Sequence, residues 1–367
     1  MRAQKIVLVY SDKLKNYDFG LGHPFRANRF KSFMACFRRE LNKSGIFELI
    51  MNDELASEGD LLLWHKKDYI QAIRNASVGK TVQNLRRFIS GDNVNPMTGE
   101  FPKGIEEAAR VVIRNGMLAC EIVQEGKYEK AISIGGGLHH ARPRYGEGFC
   151  VYNDVVISAK HLIRKYGLER ILIVDTDAHA GNGTCEAFYS SSKVLFVDIH
   201  QKNIYPGTGY ADEIGEGKGK GFTVNVPLLA YAGDEAYKYV FNEIVFPLAE
   251  EYDPQFIIRN GGSDPHPSDE ITQLGLTLEG FRNIGANVRK IAEMCNGKEV
   301  DLICSGYNLT VLPRAWSALI SGLADVEIGF EEPFPLMIRK DQMLEDTKKI
   351  VQKVKRNLRP HWKRMRT

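Results

Sequence analysis

The sequence predicts an α/β fold: a three-layer sandwich whose mostly parallel central sheet of about eight strands carries helices on both faces. Two patterns lead there. Four stretches, AISIGGG before His139 and His140, RILIVDT before Asp177 and His179, QFIIRNGG before Asp264 and VDLICSG before Tyr307, each carry a short β-branched run closed by glycine or a small residue. Such runs read as strands buried on both faces, the habit of parallel sheets. Between them, apolar residues recur at helical spacing. From Gly104 to about Glu125 the series is Ala108, Val111, Val112, Met117, Cys120 and Val123. Similar periodicity predicts helices over 154–165, 235–251, 278–294 and 342–355. Strand, helix, strand in series requires right-handed crossovers and a largely parallel sheet.

Polar residues of catalytic type stand directly after those strands. They are His139 and His140, then Asp175, Asp177 and His179, then Asp264, then Tyr307. In open parallel sheets the ligand site lies beyond the carboxyl ends of the strands, where residues distant in sequence converge. That placement points to an active site.

With 367 residues, 43% of them apolar, the chain can bury a large core. No linker, repeat or low-complexity tract interrupts the strand-helix alternation, so residues 1–367 are expected to form one domain with a basic helical tail over about 340–367. A net charge of +3 is too mild to imply a nucleic-acid partner, and the basic end KRNLRPHWKRMRT reads as a solvated terminus. The six cysteines form no C-x-x-C pair, which suits free thiols in a reducing compartment. The first strand, KIVLVY, is reached without a signal peptide's longer apolar run, and no stretch is apolar enough to span a membrane. The expectation is a cytoplasmic protein without a membrane partner; a homo-oligomer is left open.

Asp177 and His179 are two residues apart, so in extended backbone both side chains leave on one face and can share one ion. Asp264, in N-G-G-S-D-P after another strand, is the natural third ligand. One imidazole with two carboxylates suits a borderline divalent metal and leaves a coordination position open for water, as catalytic zinc requires. An imidazole ordinarily titrates near neutrality, which makes His139 and His140 candidates to move protons, while Asp175 and Asn182 flank the ligands as supporting partners. Tyr307 can donate to a developing oxyanion. Taken singly, each has a plainer reading: a turn-capping aspartate, a surface histidine pair, a buried tyrosine.

Together the motifs resemble the histone deacetylase superfamily, which includes acetylpolyamine amidohydrolases and acetoin-utilisation proteins. G-L-H-H-A at 137–141, G-F-C-V-Y-N-D at 148–154, D-T-D-A-H-A-G-N-G at 175–183, Y-P-G-T-G at 205–209 and S-G-Y at 305–307 occur in the family's order, and H-P-F-R-A-N-R at 23–29 is similar to its N-terminal signature. The resemblance implies an arginase/deacetylase-like fold and one zinc ion per chain on Asp177, His179 and Asp264. It makes His139 and His140 the tandem acid-base pair, with His140 the base and His139 held by Asp175, and Tyr307 the carbonyl-polarising tyrosine. It places Gly148, Phe149 and Tyr205 along an acyl-lysine tunnel and Arg29 beside an acetate exit. A structural potassium ion would lie among Asp175, Asp177, His179, Asp198 and Ile199. Asp92, in the loop 90–100, would contribute to the rim, where it could bind a substrate amide or a cationic amine. The implied substrate is an acylated amine, acetyl-lysine on a protein or a small acetylpolyamine.

Two residues depart from the commoner family pattern. Ala180 stands where many members have a second histidine, and Asn182 where the best-known class has aspartate. An amide stabilises an imidazolium less than a carboxylate does, which lowers the partnered histidine's pKa. Two other functions compete. An arginase-like ureohydrolase would need an aspartate at position 181 to bridge a second metal, and the chain has Gly181 there. A catalytically idle sensor of acylated amines would explain Ala180, yet the full set of ligands and acid-base residues is present.

Overall fold

The computed structural model describes residues 6–329, 331–335 and 343–366. Eight strands form one sheet: β1 (Ile6–Tyr10), β2 (Phe47–Met51), β3 (Lys130–Ile134), β4 (Ile171–Asp175), β5 (Val194–Gln201), β6 (Thr223–Leu228), β7 (Phe256–Gly261) and β8 (Glu299–Ile303). Their order is β2-β1-β3-β8-β7-β4-β5-β6, and every pairing is parallel.

The period of two along each strand divides the core between the two faces of the sheet. Val7, Val9, Ile171, Ile173 and Leu302 pack with Ala119, Cys120, Val155 and Val156 of the helices Ile105–Gln124 and Asp154–Tyr166. Their neighbours Leu8, Leu172, Val174 and Ile303 join a larger cluster with Phe30, Ile284 and Trp316, from the helices Asn28–Arg39, Leu278–Cys295 and Leu312–Ala324. The result is the expected helix-sheet-helix sandwich.

Two expectations need correction in detail. The helix predicted over 235–251 is continuous in path but not in hydrogen bonding: Asp234–Val240 passes through a π turn at Phe241–Val245 into Phe246–Tyr252. Pro247 lacks the N–H that an unbroken ladder would need there, and a π turn absorbs the mismatch. The C-terminal end, read as solvated, is packed. The helix Leu344–Leu358 covers β6, Trp362 is buried with its Nε1 donating to the Gly221 carbonyl at 2.7 Å, and Met365 is buried. Apolar residues spaced through the basic run anchor it. Residues 340–342 and 367 of the expected tail lie outside the described residues.

The strands that end in the catalytic-type residues, β3, β8, β7 and β4, are the four middle neighbours of the sheet. Parallel alignment brings all four carboxyl ends to one edge. Segments far apart in sequence therefore deliver their polar residues to one place.

Candidate active site

Asp177, His179 and Asp264 converge, with one potential ligand atom from each within 4.8 Å of the others. His179 Nδ1 lies 3.1 Å from Asp177 Oδ1 and 3.1 Å from Asp264 Oδ2. All three side chains are buried. Supporting contacts aim them: Ser305 Oγ donates to Asp264 Oδ1 at 2.6 Å, and the His179 amide donates to Asp177 Oδ1 at 2.9 Å. Burial and the facing charge of Asp177 push the Asp264 carboxyl well above the carboxylate range. Two carboxylates and one imidazole crowded out of water are a donor set that a divalent cation fits, since its charge offsets their repulsion.

His139 and His140 lie beside this cluster on the G-G-G-L loop after β3. Asp154, at the start of its helix, holds that loop by accepting the Gly137 amide at 2.8 Å and the Leu138 amide at 2.7 Å. Asn153, which caps the same helix, donates to the His139 carbonyl at 3.0 Å. The two rings meet at Nε2, 3.1 Å apart, but their far sides differ. His139 Nδ1 faces Asp175 Oδ2 at 2.8 Å, and Asn260 Nδ2 also donates to that oxygen at 2.8 Å. His140 Nδ1 faces Asn182 Oδ1 at 2.7 Å.

The electrostatics diverge accordingly. Burial opposes charge on His139, yet Asp175 and Asp177 outweigh it and carry its pKa up to about 9. Burial also opposes charge on His140, and there the neighbouring His139 and His179 add to it, so its pKa falls well below the ordinary value. The two shifts run in opposite directions, the divergence that separates acid-base roles in a paired site.

Tyr307 follows β8. Its ring packs edge-on to Phe149 at 5.7 Å, and the Arg29 guanidinium lies over it at 5.1 Å. Burial pushes the phenol's pKa up and keeps the O–H proton in place for donation. Arg29 is fully buried and donates to the Cys304 carbonyl at 3.0 Å. A small cavity of about 20 Å³ between Phe149, Tyr307, His139, His140, Asp177 and His179 marks the base of the site. Cys150 and Cys304 also line it, but burial pushes both thiols up, which leaves neither as a ready nucleophile.

At the wall of the site Gly148 has φ +58° and lies against the His140 ring, where a Cβ would collide with it. Phe149 shares this left-handed backbone at φ +65°; Asn93 Oδ1 holds its amide at 2.8 Å and Tyr17 O–H donates to its carbonyl at 2.8 Å. Fixing a non-glycine residue in this region costs energy that such contacts must supply. Tyr205 is half-exposed, its ring 5.1 Å from that of His140. Asp92 Oδ2 accepts the Gly148 amide at 3.2 Å, which ties the 90–100 loop to the wall.

Ala180 is buried and lines a second cavity of about 270 Å³, together with Asn182, Asp198, Glu213 and Asn225. Gly181, where a bridging aspartate would sit in a ureohydrolase, has no room for one: a Cβ there would come within 2.8 Å of Asp175 Oδ2 and 3.0 Å of His139 Nδ1.

Sequence reasoning named His139, His140, Asp175, Asp177, His179, Asn182, Asp264 and Tyr307, and the fold brings all of them together. It missed Asn260, Asp154 and Glu147. Glu147 stands inside the G-E-G-F turn and accepts from Asn182 Nδ2 at 2.9 Å. Asp154 closes a quoted motif and opens a helix, a signal that was available. Asn260 likewise opens the quoted N-G-G-S-D-P stretch, whereas Glu147 carried no pattern of its own.

Comparison with known proteins places this geometry. A histone deacetylase domain model matches residues 23–323. The chain is 36% identical to the acetoin utilization protein AcuC of Staphylococcus aureus strain COL over 332 residues, which cover 89% of this chain and 83% of that protein. It is 33% identical to a probable deacetylase of Archaeoglobus fulgidus over 369 aligned positions, covering 97% and 98% of the two chains. The crystal structure of the HDA15 HD domain superposes with a TM-score of 0.84 over 99% of this chain and 97% of that one; at 24% identity this likeness speaks for the fold. Fold and relatives together define a hydrolytic deacetylase. The chain belongs to the histone deacetylase family.

Proposed function

We propose that this deacetylase removes an acyl group, acetyl in the first instance, from an N-acylated amine such as acetyl-lysine or an acetylpolyamine, with one zinc ion held by Asp177, His179 and Asp264. The observation that carries the reading is the placement of His139 on Asp175 and His140 on Asn182 directly beside the three-ligand cluster. A divalent cation there supplies Lewis-acid polarisation of the carbonyl and makes water a stronger acid. The chain's own groups do the rest. Neutral His140 takes the proton of the attacking water and returns it to the departing amine. Protonated His139, held by Asp175, supplies fixed positive charge, and Tyr307 donates its O–H to the oxyanion as it develops. Gly148, Phe149 and Tyr205 form the wall along which the acyl-amine stem lies; Arg29 stands behind Tyr307 toward the acetate exit, and Asp92 contributes to the rim.

The same reading takes residues 1–367 as one catalytic domain working in the cytoplasm, without a nucleic-acid or membrane partner. Among the described residues no helix is long and apolar enough to cross a membrane. It adds a structural potassium ion near Asp175, Asp177, His179, Asp198 and Ile199, supported by the burial of Asp175 and Asp198 and their pairing in register on β4 and β5.

Metal analysis is expected to find one tightly held divalent ion per chain, lost in Asp177→Ala and Asp264→Ala. A fluorogenic acetyl-lysine peptide and a panel of acetylpolyamines, compared by kcat/KM with and without chelator, test the reaction and rank the substrates. Two ions per site, or turnover that survives chelation, would overturn the reading.

A further inference from the structure

We infer that Glu147 is a positioning residue for this reaction: it decides which end of the Asn182 amide faces His140. The inference deepens the proposed function and rests on it. A primary amide has an accepting oxygen and a donating nitrogen of nearly equal size, so packing alone does not orient it. A carboxylate can only accept. With Glu147 Oε1 at 2.9 Å from Asn182 Nδ2, the amide nitrogen must point to Glu147 and the oxygen to His140 Nδ1, at 2.7 Å. An oxygen at that distance requires a proton on Nδ1. The unprotonated nitrogen of the neutral ring is then Nε2, on the side where it meets His139 Nε2 at 3.1 Å, which itself lies 3.8 Å from Asp177 Oδ1 of the ligand cluster. A turned amide would place its NH₂ against Nδ1 and favour the other tautomer, whose basic nitrogen faces away from the reaction.

Glu147 is itself fixed. Arg142 Nε donates to Oε1 at 2.7 Å and Tyr205 O–H to Oε2 at 3.3 Å, so both carboxylate oxygens are held. Its backbone bridges to Cys150 across the same turn that presses Gly148 against the His140 ring. One short turn therefore sets both the contact with the ring face and, through Asn182, the ring's tautomer. Arg142 is partly exposed, so the series His140, Asn182, Glu147, Arg142 runs from the site to the surface.

The test is a set of variants assayed in the metal-loaded enzyme on one acetylated substrate. Glu147→Met keeps the side chain's length and removes the acceptor; it is expected to lower kcat about tenfold, the scale of one hydrogen bond to a charged group, with KM little changed. Glu147→Gln retains an oxygen and is expected to keep most of the activity. Asn182→Asp sets a carboxylate against Glu147 and is expected to lose more than Asn182→Asp/Glu147→Gln, in which the glutamine can donate to the new carboxylate. A purely structural role for Glu147 predicts no such recovery. Ring ¹⁵N shifts of His140 read the same effect without turnover: protonation at Nδ1 in the unaltered protein, a mixture of tautomers in Glu147→Met. Full kcat in Glu147→Met, a double variant no better than Asn182→Asp, or unchanged ring shifts would each overturn the inference. An unaltered enzyme that turns over no acylated amine would instead overturn the proposed function, and the ring shifts would still decide the tautomer.

Discussion

The inner and outer sides of the site set the same side chain in opposite surroundings. Toward the sheet, His139 leans on Asp175, itself braced by Asn260. Toward the wall, His140 leans on Asn182, braced by Glu147. The rings are adjacent in sequence and equally buried, so neither ring chemistry nor depth separates them. Their neighbours do: Asp175 and Asp177 favour the imidazolium of His139, while His139 and His179 oppose a charge on His140, whose amide partner orients the ring. On the proposed reading, the surroundings of each ring rather than the histidine itself assign the proton-moving role.

The largest break in that contrast should come from His140→Ala, which removes the proposed base and leaves His139 in place. A loss of about 10²–10⁴ in kcat is expected, the usual worth of general acid-base catalysis. His139→Ala should cost less, because it removes charge support and not the proton carrier; equal losses would mean that the roles are shared or reversed. Next comes Tyr307→Phe, which touches neither histidine. Loss of one oxyanion donor typically lowers kcat by about 10²–10³, with metal content intact, whereas near-unaltered turnover would make Tyr307 a packing residue. The smallest and most pointed change is Asn182→Asp, made together with Glu147→Gln so that the new carboxylate is unopposed. It should make His140 resemble His139. The carboxylate favours the protonated ring, the base is then lost at higher pH, and the acid limb of kcat/KM against pH moves upward. An unmoved limb in the folded, metal-loaded variant would show that this position does not tune the base.

The middle of the sheet was legible because its strands are buried on both faces and so are written in continuous Val, Ile and Leu, with glycine or a small residue where each run ends. The ligands were legible because parallel strands release their polar residues at one edge. Glu147 was not: it lies in a turn, a segment without periodicity, and its partner Asn182 belongs to a different motif. Asn260 follows an arginine at the end of β7 and looks like any polar strand end until Asp175 is set beside it. The packed C-terminus was hidden by its charge, since thirteen residues so rich in Lys and Arg look solvated while Trp362 and Met365 carry the docking.

The order of strands also bears on when the site comes into being. The central neighbours β3, β8, β7 and β4 are drawn from both halves of the chain, and β8 is the last strand in sequence. During synthesis the first histidines emerge long before Asp264 and Tyr307, and the slot between β3 and β7 stays open until Glu299–Ile303 has been made. Pairings of such long range are slow to form. The three ligands proposed for a metal ion follow β4 and β7, neighbours in the sheet, so that ion would need this long-range pairing first and could not nucleate the fold as it does a zinc finger, whereas Tyr307 joins the site only once β8 has filled its slot.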